Sequence, residues 1–176
     1  MINNDIEREI SQLDPSSFEK LVVTLLDFEG YHIISALGTV IGENKTKPGQ
    51  PDSIFEYNNN IIFCEKTTKK SDLMNKLKDD IKHCFCDSQL NNEDISKIIL
   101  AFNDKITDSQ YKELLEYKDL FNSKTKLRIY GLDKLCRLAF RYPNIGIHLP
   151  NIKISPYLFT LNDFVSKSVL TSNQLY

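Results

Sequence analysis

Hydrophobic residues recur every three or four positions in several stretches of the chain, the spacing that buries one face of an amphipathic helix. The clearest stretch follows Asp14-Pro15, a pair typical of a helix N-cap with proline at the first helical position. Gly30 is a typical helix stop. We therefore predict helices over residues 2–13, between Pro15 and Gly30, from a cap at Ser71 to at least Phe85, over 108–117, and from Leu132 to just before Pro143.

Shorter apolar or alternating runs between these helices predict β-strands. One run, residues 95–102, is uninterrupted, as is usual for a strand that is buried on both faces. Residues 52–57 and 61–67 flank Asn58-Asn59-Asn60, which is typical of a hairpin turn. Further strands are expected over 31–36 and 126–130. The resulting order, in which three strands feed a helical crossover, predicts an α/β protein with a mixed sheet flanked by helices.

Length and composition fit one folded domain. With 176 residues, 41% hydrophobic and 26% charged, the chain has an ordinary globular composition, which excludes a disordered protein. We expect a core over about residues 14–142 and a C-terminal extension over 143–176, where Pro150 and Pro156 break the pattern. The formal net charge of −2 means that binding to a polyanion would need a local basic patch.

Targeting signals are not visible in the sequence. No apolar run approaches the roughly 20 residues that span a bilayer, and the N-terminus lacks the regions of a signal peptide. Four cysteines without the spacing of a disulfide framework suit a reducing compartment. We therefore expect a cytoplasmic protein that does not contact the membrane.

Two acidic residues stand at the ends of the predicted hairpin strands. Asp52 follows Pro51 at the start of one strand, and Glu65 closes the other, so strand pairing should bring both carboxylates to one end of the sheet. Mg²⁺ prefers carboxylate oxygens and water as ligands. Because a carboxylate that ends an apolar run is otherwise costly to bury, this pair is our candidate metal site. The alternative is that Asp52 only begins a strand or turn and that Glu65 lies at an exposed strand end.

The residues after Glu65 are placed by strand alternation. Thr67 shares the face of Glu65, and so would Lys69 if the extended conformation continues, whereas Lys66 points the other way.

Together these residues resemble the PD-(D/E)xK restriction-endonuclease-like superfamily. The resemblance is carried by Pro51-Asp52, by Glu65-Lys66-Thr67 and by the predicted α-β-β-β-α-β order, and it covers about residues 18–102. A narrower similarity is to the Mrr-like N-terminal nuclease domains of bacterial antiviral STAND ATPases. It rests on Phe18-Glu19-x-Leu21, Gly38-Thr39, Gly49-x-Pro51-Asp52 and the run Phe63-Cys64-Glu65-Lys66-Thr67-Thr68.

The resemblance implies a restriction-endonuclease-like fold and a Mg²⁺- or Mn²⁺-dependent endonuclease that cuts double-stranded DNA in antiphage defence. It also implies a homo-oligomer, or clustering through a fused or associated regulatory module. Asp52 and Glu65 would bind the metal, with Glu19 as an added ligand. The family has a lysine two residues after the glutamate, where this chain has Thr67. Lys69 is our first choice to replace it, and Lys66 the second.

Other functions stay open on the same fold. With Thr67 in place of lysine, the domain could be a catalytically impaired module that binds nucleic acid, or a protein-interaction domain whose acidic pair is structural. Glu19 could be a solvated helix flank. Lysines between residues 45 and 82 could face phosphate, or lie on a solvated face interrupted by Asp72, Asp79 and Asp80. For His83-Cys84-x-Cys86, core packing of Cys84 is favoured over a zinc site.

Overall fold

Helices and strands follow one another in the order that the sequence predicts. The computed structural model describes residues 2–35, 51–86, 91–142, 145, 148 and 149. Within these residues the helices are α1 (Ile2–Gln12), α2 (Pro15–Phe28), α3 (Leu73–Cys86), α4 (Asp108–Asp119) and α5 (Leu132–Arg141). The strands are β1 (His32–Ser35), β2 (Ser53–Tyr57), β3 (Asn60–Thr67), β4 (Ile95–Phe102) and β5 (Lys126–Tyr130).

The strands form one five-stranded mixed sheet in the order β1-β2-β3-β4-β5. The first three strands pair antiparallel as a meander, and β3, β4 and β5 are parallel neighbours joined by helical crossovers. The predicted α/β class and the predicted mixed sheet flanked by helices are therefore confirmed.

Helices cover both faces of this sheet. Residues of α2 and α5 pack on one face with Cys64 and Ile99, and residues of α3 and α4 pack on the other with Phe63 and Ile98. Because side chains alternate along a strand, β3 and β4 contribute to both hydrophobic clusters. This burial on two faces explains the uninterrupted apolar sequence of β4, as the sequence analysis predicts.

Local sequence signals account for several boundaries. The Asp14 side chain accepts hydrogen bonds from the backbone N–H groups of Ser16 and Ser17, which confirms it as the N-cap of α2. Asn58 and Asn59 have φ angles of 51° and 60°, in the left-handed region that asparagine tolerates and that tight hairpin turns require. The predicted hairpin between β2 and β3 is therefore confirmed.

One helix start differs from the prediction. Helix α3 begins at Leu73 and not directly after Ser71. The reason is the backbone of Asp72, whose φ of 57° is left-handed and cannot belong to the first turn of a right-handed helix.

Two predicted segments lie outside the described residues. One is the loop over residues 38–50, with Gly38-Thr39, Lys45, Lys47 and Gly49, and the other is the C-terminal extension apart from residues 145, 148 and 149. Among the residues that are described, no helix is both long enough and apolar enough to cross a membrane.

Candidate active site

The two predicted acidic residues meet at one end of the sheet. Ser53 pairs with Cys64 in the antiparallel register of β2 and β3, so the preceding residue, Asp52, lies opposite Glu65. The backbone N–H of Lys66 donates a hydrogen bond to Asp52 Oδ2 at 2.8 Å, which holds that carboxylate against β3. The Glu65 side chain is buried, with only 5% of the residue surface exposed. Hairpin pairing therefore brings the two acids together as predicted.

Helix α3 closes over Glu65 from the other side. Cys84 Sγ donates a weak hydrogen bond to Glu65 Oε1 at 3.6 Å. Burial raises the pKa of Glu65 well above its ordinary value, and the charges of Asp52 and Asp80 raise it further. A third carboxylate, that of Asp80, is therefore close enough to act on the pair.

Asp80 is itself buried, with 1% of its surface exposed. Its Oδ1 atom accepts a hydrogen bond from the Lys76 ammonium, one helical turn earlier, while Oδ2 has no hydrogen-bond partner among the described residues. Burial raises the pKa of Asp80, although the bond to Lys76 opposes that effect. A buried carboxylate oxygen without a partner is costly, and it marks this cluster as short of positive charge.

The donor set suits a hard divalent cation. Asp52, Glu65 and Asp80 bring three carboxylates to this end of the sheet, and Lys76 is the ammonium that acts on all of them. Mg²⁺ is commonly held by one or two protein carboxylates, with water and substrate oxygens completing its shell. Across the described residues no three acidic, histidine or cysteine side chains are placed to hold a metal ion. Asp52 and Glu65 offer two carboxylates, which are donors of the kind that Mg²⁺ takes from proteins.

Lys66 lies on the opposite face of the sheet, as strand alternation predicts. Its ammonium donates to Glu19 Oε1 at 3.0 Å and to Ser53 Oγ at 2.6 Å, and only 4% of its side chain is exposed. Glu19 on α2 is therefore ion-paired on the α2 face, whereas Glu65 faces α3. The structure does not bring the Glu19 carboxylate to the acidic pair.

Lys69 is not placed beside Glu65 by the strand. Strand β3 ends at Thr67, whose Oγ1 accepts a hydrogen bond from the backbone N–H of Lys69 at 3.1 Å. The extended conformation that would put Lys69 on the Glu65 face stops there, and the Lys69 side chain is exposed. Thr67 is buried. A different lysine, Lys76 of α3, opposes the raised pKa of Glu65 through its charge.

Asp80 and Lys76 are the residues of this site that the sequence analysis does not assign to it. Asp80 follows Leu77 by three positions and precedes Cys84 by four, so it stands on the apolar face of α3. In the sequence, the signal for Asp80 was a carboxylate among the apolar residues of that helix face. The alternative of a solvated face does not hold for Asp80, because its side chain is buried.

Other candidate residues near α3 have structural partners. Lys78 pairs with Glu113 of α4, and Lys70 donates to the backbone carbonyl of Ser11, so these lysines are not a free phosphate-facing patch. Cys84 is buried in the core beneath α3 and Cys86 is exposed. Core packing of Cys84 is therefore confirmed.

Comparison with family models, with curated proteins and with solved structures finds no match for this chain.

Proposed function

We propose that this chain is a Mg²⁺- or Mn²⁺-dependent endonuclease domain that hydrolyses phosphodiester bonds in double-stranded DNA. The observation that carries the proposal is the meeting of the half-buried Asp52 with the buried Glu65 at the paired ends of two neighbouring strands, beside a third carboxylate, that of Asp80. The resemblance of these residues to the PD-(D/E)xK superfamily supports the nuclease class and a restriction-endonuclease-like topology. The narrower resemblance supports a cytoplasmic role in antiphage defence, with activity that depends on clustering.

Each side chain of the site has a role in this proposal. Asp52 and Glu65 would hold the cation, which when bound activates water and stabilises the charge on the phosphate. The N–H of Lys66 orients Asp52, and the thiol of Cys84 orients Glu65. Such second contacts hold a ligand in the position that coordination needs. Helix α3 excludes water from Glu65.

Lys76 supplies the positive charge that is absent at Thr67. Its ammonium interacts with Asp80 and also acts on Glu65 and Asp52. It comes from a helix and not from β3, so the sequence motif does not contain it. Lys66 and Lys69, the sequence-based choices, remain alternatives that substitution can compare with Lys76.

The ion pairs of two lysines near the acidic residues favour a second candidate function, a binding module without nuclease activity. Lys66 and Lys76 each have a carboxylate partner, Glu19 and Asp80, so neither ammonium is free to bind a phosphate. A domain with this arrangement would bind nucleic acid or a protein without cutting.

The test is cleavage of supercoiled plasmid with millimolar Mg²⁺ or Mn²⁺, together with calorimetric titration of Mn²⁺ into the metal-free protein. We expect Asp52→Asn and Glu65→Gln to lose both cleavage and Mn²⁺ binding. Glu56→Gln is the matched control, because Glu56 is an exposed acid on the same hairpin. It should keep both.

The two readouts separate the candidate functions. Mn²⁺ binding without cleavage, also when the protein is clustered by a multivalent tag, would favour the binding module. Neither Mn²⁺ binding nor cleavage would mean that the acidic pair is structural, and the endonuclease proposal would then be wrong.

A further inference from the structure

Basic side chains gather on the sheet face opposite Glu65, near the beginning of β4 and β5. Lys97 and Lys126 are direct partners in the parallel register of these strands. Both point to the face that α2 and α5 cover, because Lys97 alternates with Ile98, and Lys126 with Leu127, of the other cluster. Arg128 lies two residues along β5 on the same face. The topology thus places three cations side by side.

This placement opposes stability. Like charges that face each other on neighbouring strands destabilise a sheet. Lys126 and Arg128 are exposed. Neither side chain has an ion-pair partner among the described residues. The Lys97 ammonium is held 4.8 Å from the ring centre of Tyr31 and 5.0 Å from that of Tyr57, and it donates to the Tyr31 hydroxyl at 3.0 Å. Its position is therefore set by aromatic contacts and not by a carboxylate.

Helix α5 extends the same charged area. The Lys134 ammonium lies 3.7 Å from the ring centre of Tyr130. Burial lowers the pKa of Lys134, Tyr31 and Glu29 raise it, and the charges of Arg128 and Lys97 lower it, so Lys134 lies within electrostatic reach of both cations. Arg137 follows three positions later and lines a groove of about 380 Å³ with Lys134.

Three acidic residues lie near these cations: Glu93 lines a groove with Lys97 and Lys126, and Glu29 and Asp133 line the groove of Lys134 and Arg137. Glu29 accepts hydrogen bonds from Arg141 and from the hydroxyl of Tyr142, and Asp133 pairs with Lys105. The described residues that line the two grooves include six basic and three acidic side chains, so positive charge is in excess here, although the whole chain has a net charge of −2. We call Lys97, Lys126, Arg128, Lys134 and Arg137 the basic surface.

We propose that the basic surface binds the phosphodiester backbone of duplex DNA, as a contact separate from the acidic pair. A row of cations across two strands and a helix, of which Lys126, Arg128 and Arg137 are exposed, suits a ligand with repeated charges better than a single anion. Lysine and arginine contacts to phosphate position a duplex without reading its bases. Only the choice of duplex DNA rests on the proposed function.

The position of the basic surface gives it a distinct role. Glu65 faces α3, whereas the basic surface lies on the other side of the sheet. The cations of the basic surface therefore cannot contact a phosphate that binds at Glu65. They would instead tether a second segment of DNA and raise the concentration of substrate near the domain.

The test measures binding of a fluorescein-labelled duplex of random sequence to the whole chain by anisotropy in EDTA, where no metal-dependent step occurs. The double variant Lys126→Gln/Arg128→Gln removes two cations of the basic surface. The matched control, Lys82→Gln/Lys112→Gln, removes two exposed lysines from α3 and α4. Circular dichroism checks that both variants fold.

We expect the basic-surface variant to weaken binding roughly ten- to a hundredfold at about 0.1 M salt. The slope of log K against log salt should fall by about 2, since each lost phosphate contact removes close to one counterion. The control should stay within about twofold of the unaltered chain. Arg137→Gln on α5 should weaken binding in the same direction, which tests the surface independently of β5.

Three outcomes would overturn the proposal: no duplex binding by the unaltered chain, equal loss in both double variants, or displacement of the duplex by a mononucleotide at the same affinity. Failure of the endonuclease proposal is distinguishable. If duplex binding depends on Lys126 and Arg128 but no cleavage occurs, the basic-surface proposal holds and the endonuclease proposal fails. Cleavage of DNA, together with unchanged duplex binding by the double variant, would refute only the basic-surface proposal.

Discussion

Glu65 is a carboxylate whose ionisation its surroundings oppose. It is buried beneath α3 and lies near two further carboxylates, those of Asp52 and Asp80. Burial and these charges raise its pKa well above the ordinary value, so ionisation of Glu65 costs stability in the metal-free protein. Natural proteins often retain destabilising residues of this kind at functional sites.

This conflict predicts a pH dependence. Above the ordinary glutamate pKa of about 4.5, the unfolded chain loses the Glu65 proton while the folded protein keeps it. The stabilisation from protonated Glu65 is therefore complete below pH about 4.5, and it is lost as the pH rises through the folded pKa. Glu65→Gln should become more stable than the unaltered chain over that rise, by at most about 1.4 kcal/mol per pH unit.

Urea denaturation in EDTA at several pH values measures this difference in the free energy of unfolding. Glu56→Gln is the control, because it makes the same substitution at an exposed position of the same hairpin. A constant difference for Glu65→Gln would show that the Glu65 carboxylate titrates as it does in water.

At the scale of elements, the register between β4 and β5 has the clearest energetic consequence. Each strand is predicted by its own apolar pattern, yet only their parallel pairing puts Lys97 opposite Lys126. The pairing tolerates this repulsion because the neighbouring positions, such as Ile98 and Leu127, are buried.

Charge reversal at this position should stabilise the sheet. Lys126→Glu replaces the repulsion with an ion pair to Lys97, and we expect the free energy of unfolding to rise by about 0.2–1 kcal/mol. The gain should shrink in high salt, because exposed pairs are screened. Thermal denaturation measures it. Lys124→Glu, the same charge change in the preceding loop, should gain less, and equal gains would contradict the register argument.

At the scale of the molecule, two hydrophobic clusters share one sheet. Leu25 of α2 is fully buried on one face, and Ile81 of α3 is fully buried on the other. Since β3 and β4 contribute side chains to both clusters, losing one cluster exposes strand residues of the other.

We therefore expect the described domain to unfold as one cooperative unit. Leu25→Ala and Ile81→Ala should each lower the free energy of unfolding by about 2–5 kcal/mol, through lost contacts and the cavity left behind. In both variants, urea transitions followed by tyrosine fluorescence and by far-ultraviolet circular dichroism should coincide. Separate transitions in either variant would mean that the two layers fold independently.

The elements of this fold follow from the sequence because helix and strand periodicity are local properties. The apolar patterns predict β4 and β5 with the bounds that the structure has, and Asp14-Pro15 predicts the start of α2. The meeting of Asp52 with Glu65 is also predictable, since a hairpin with a short asparagine turn has its register set by the turn.

Contacts between distant parts of the chain were decided by tertiary packing alone. The helix that covers Glu65, with Asp80 and Lys76, depends on how the whole apolar face of α3 fits the sheet. Lys66 meets Glu19 across 47 residues, and Lys97 meets Lys126 only because two separate strands align in parallel. Such pairings arise from burial summed over the entire core, and no local pattern of residues encodes them.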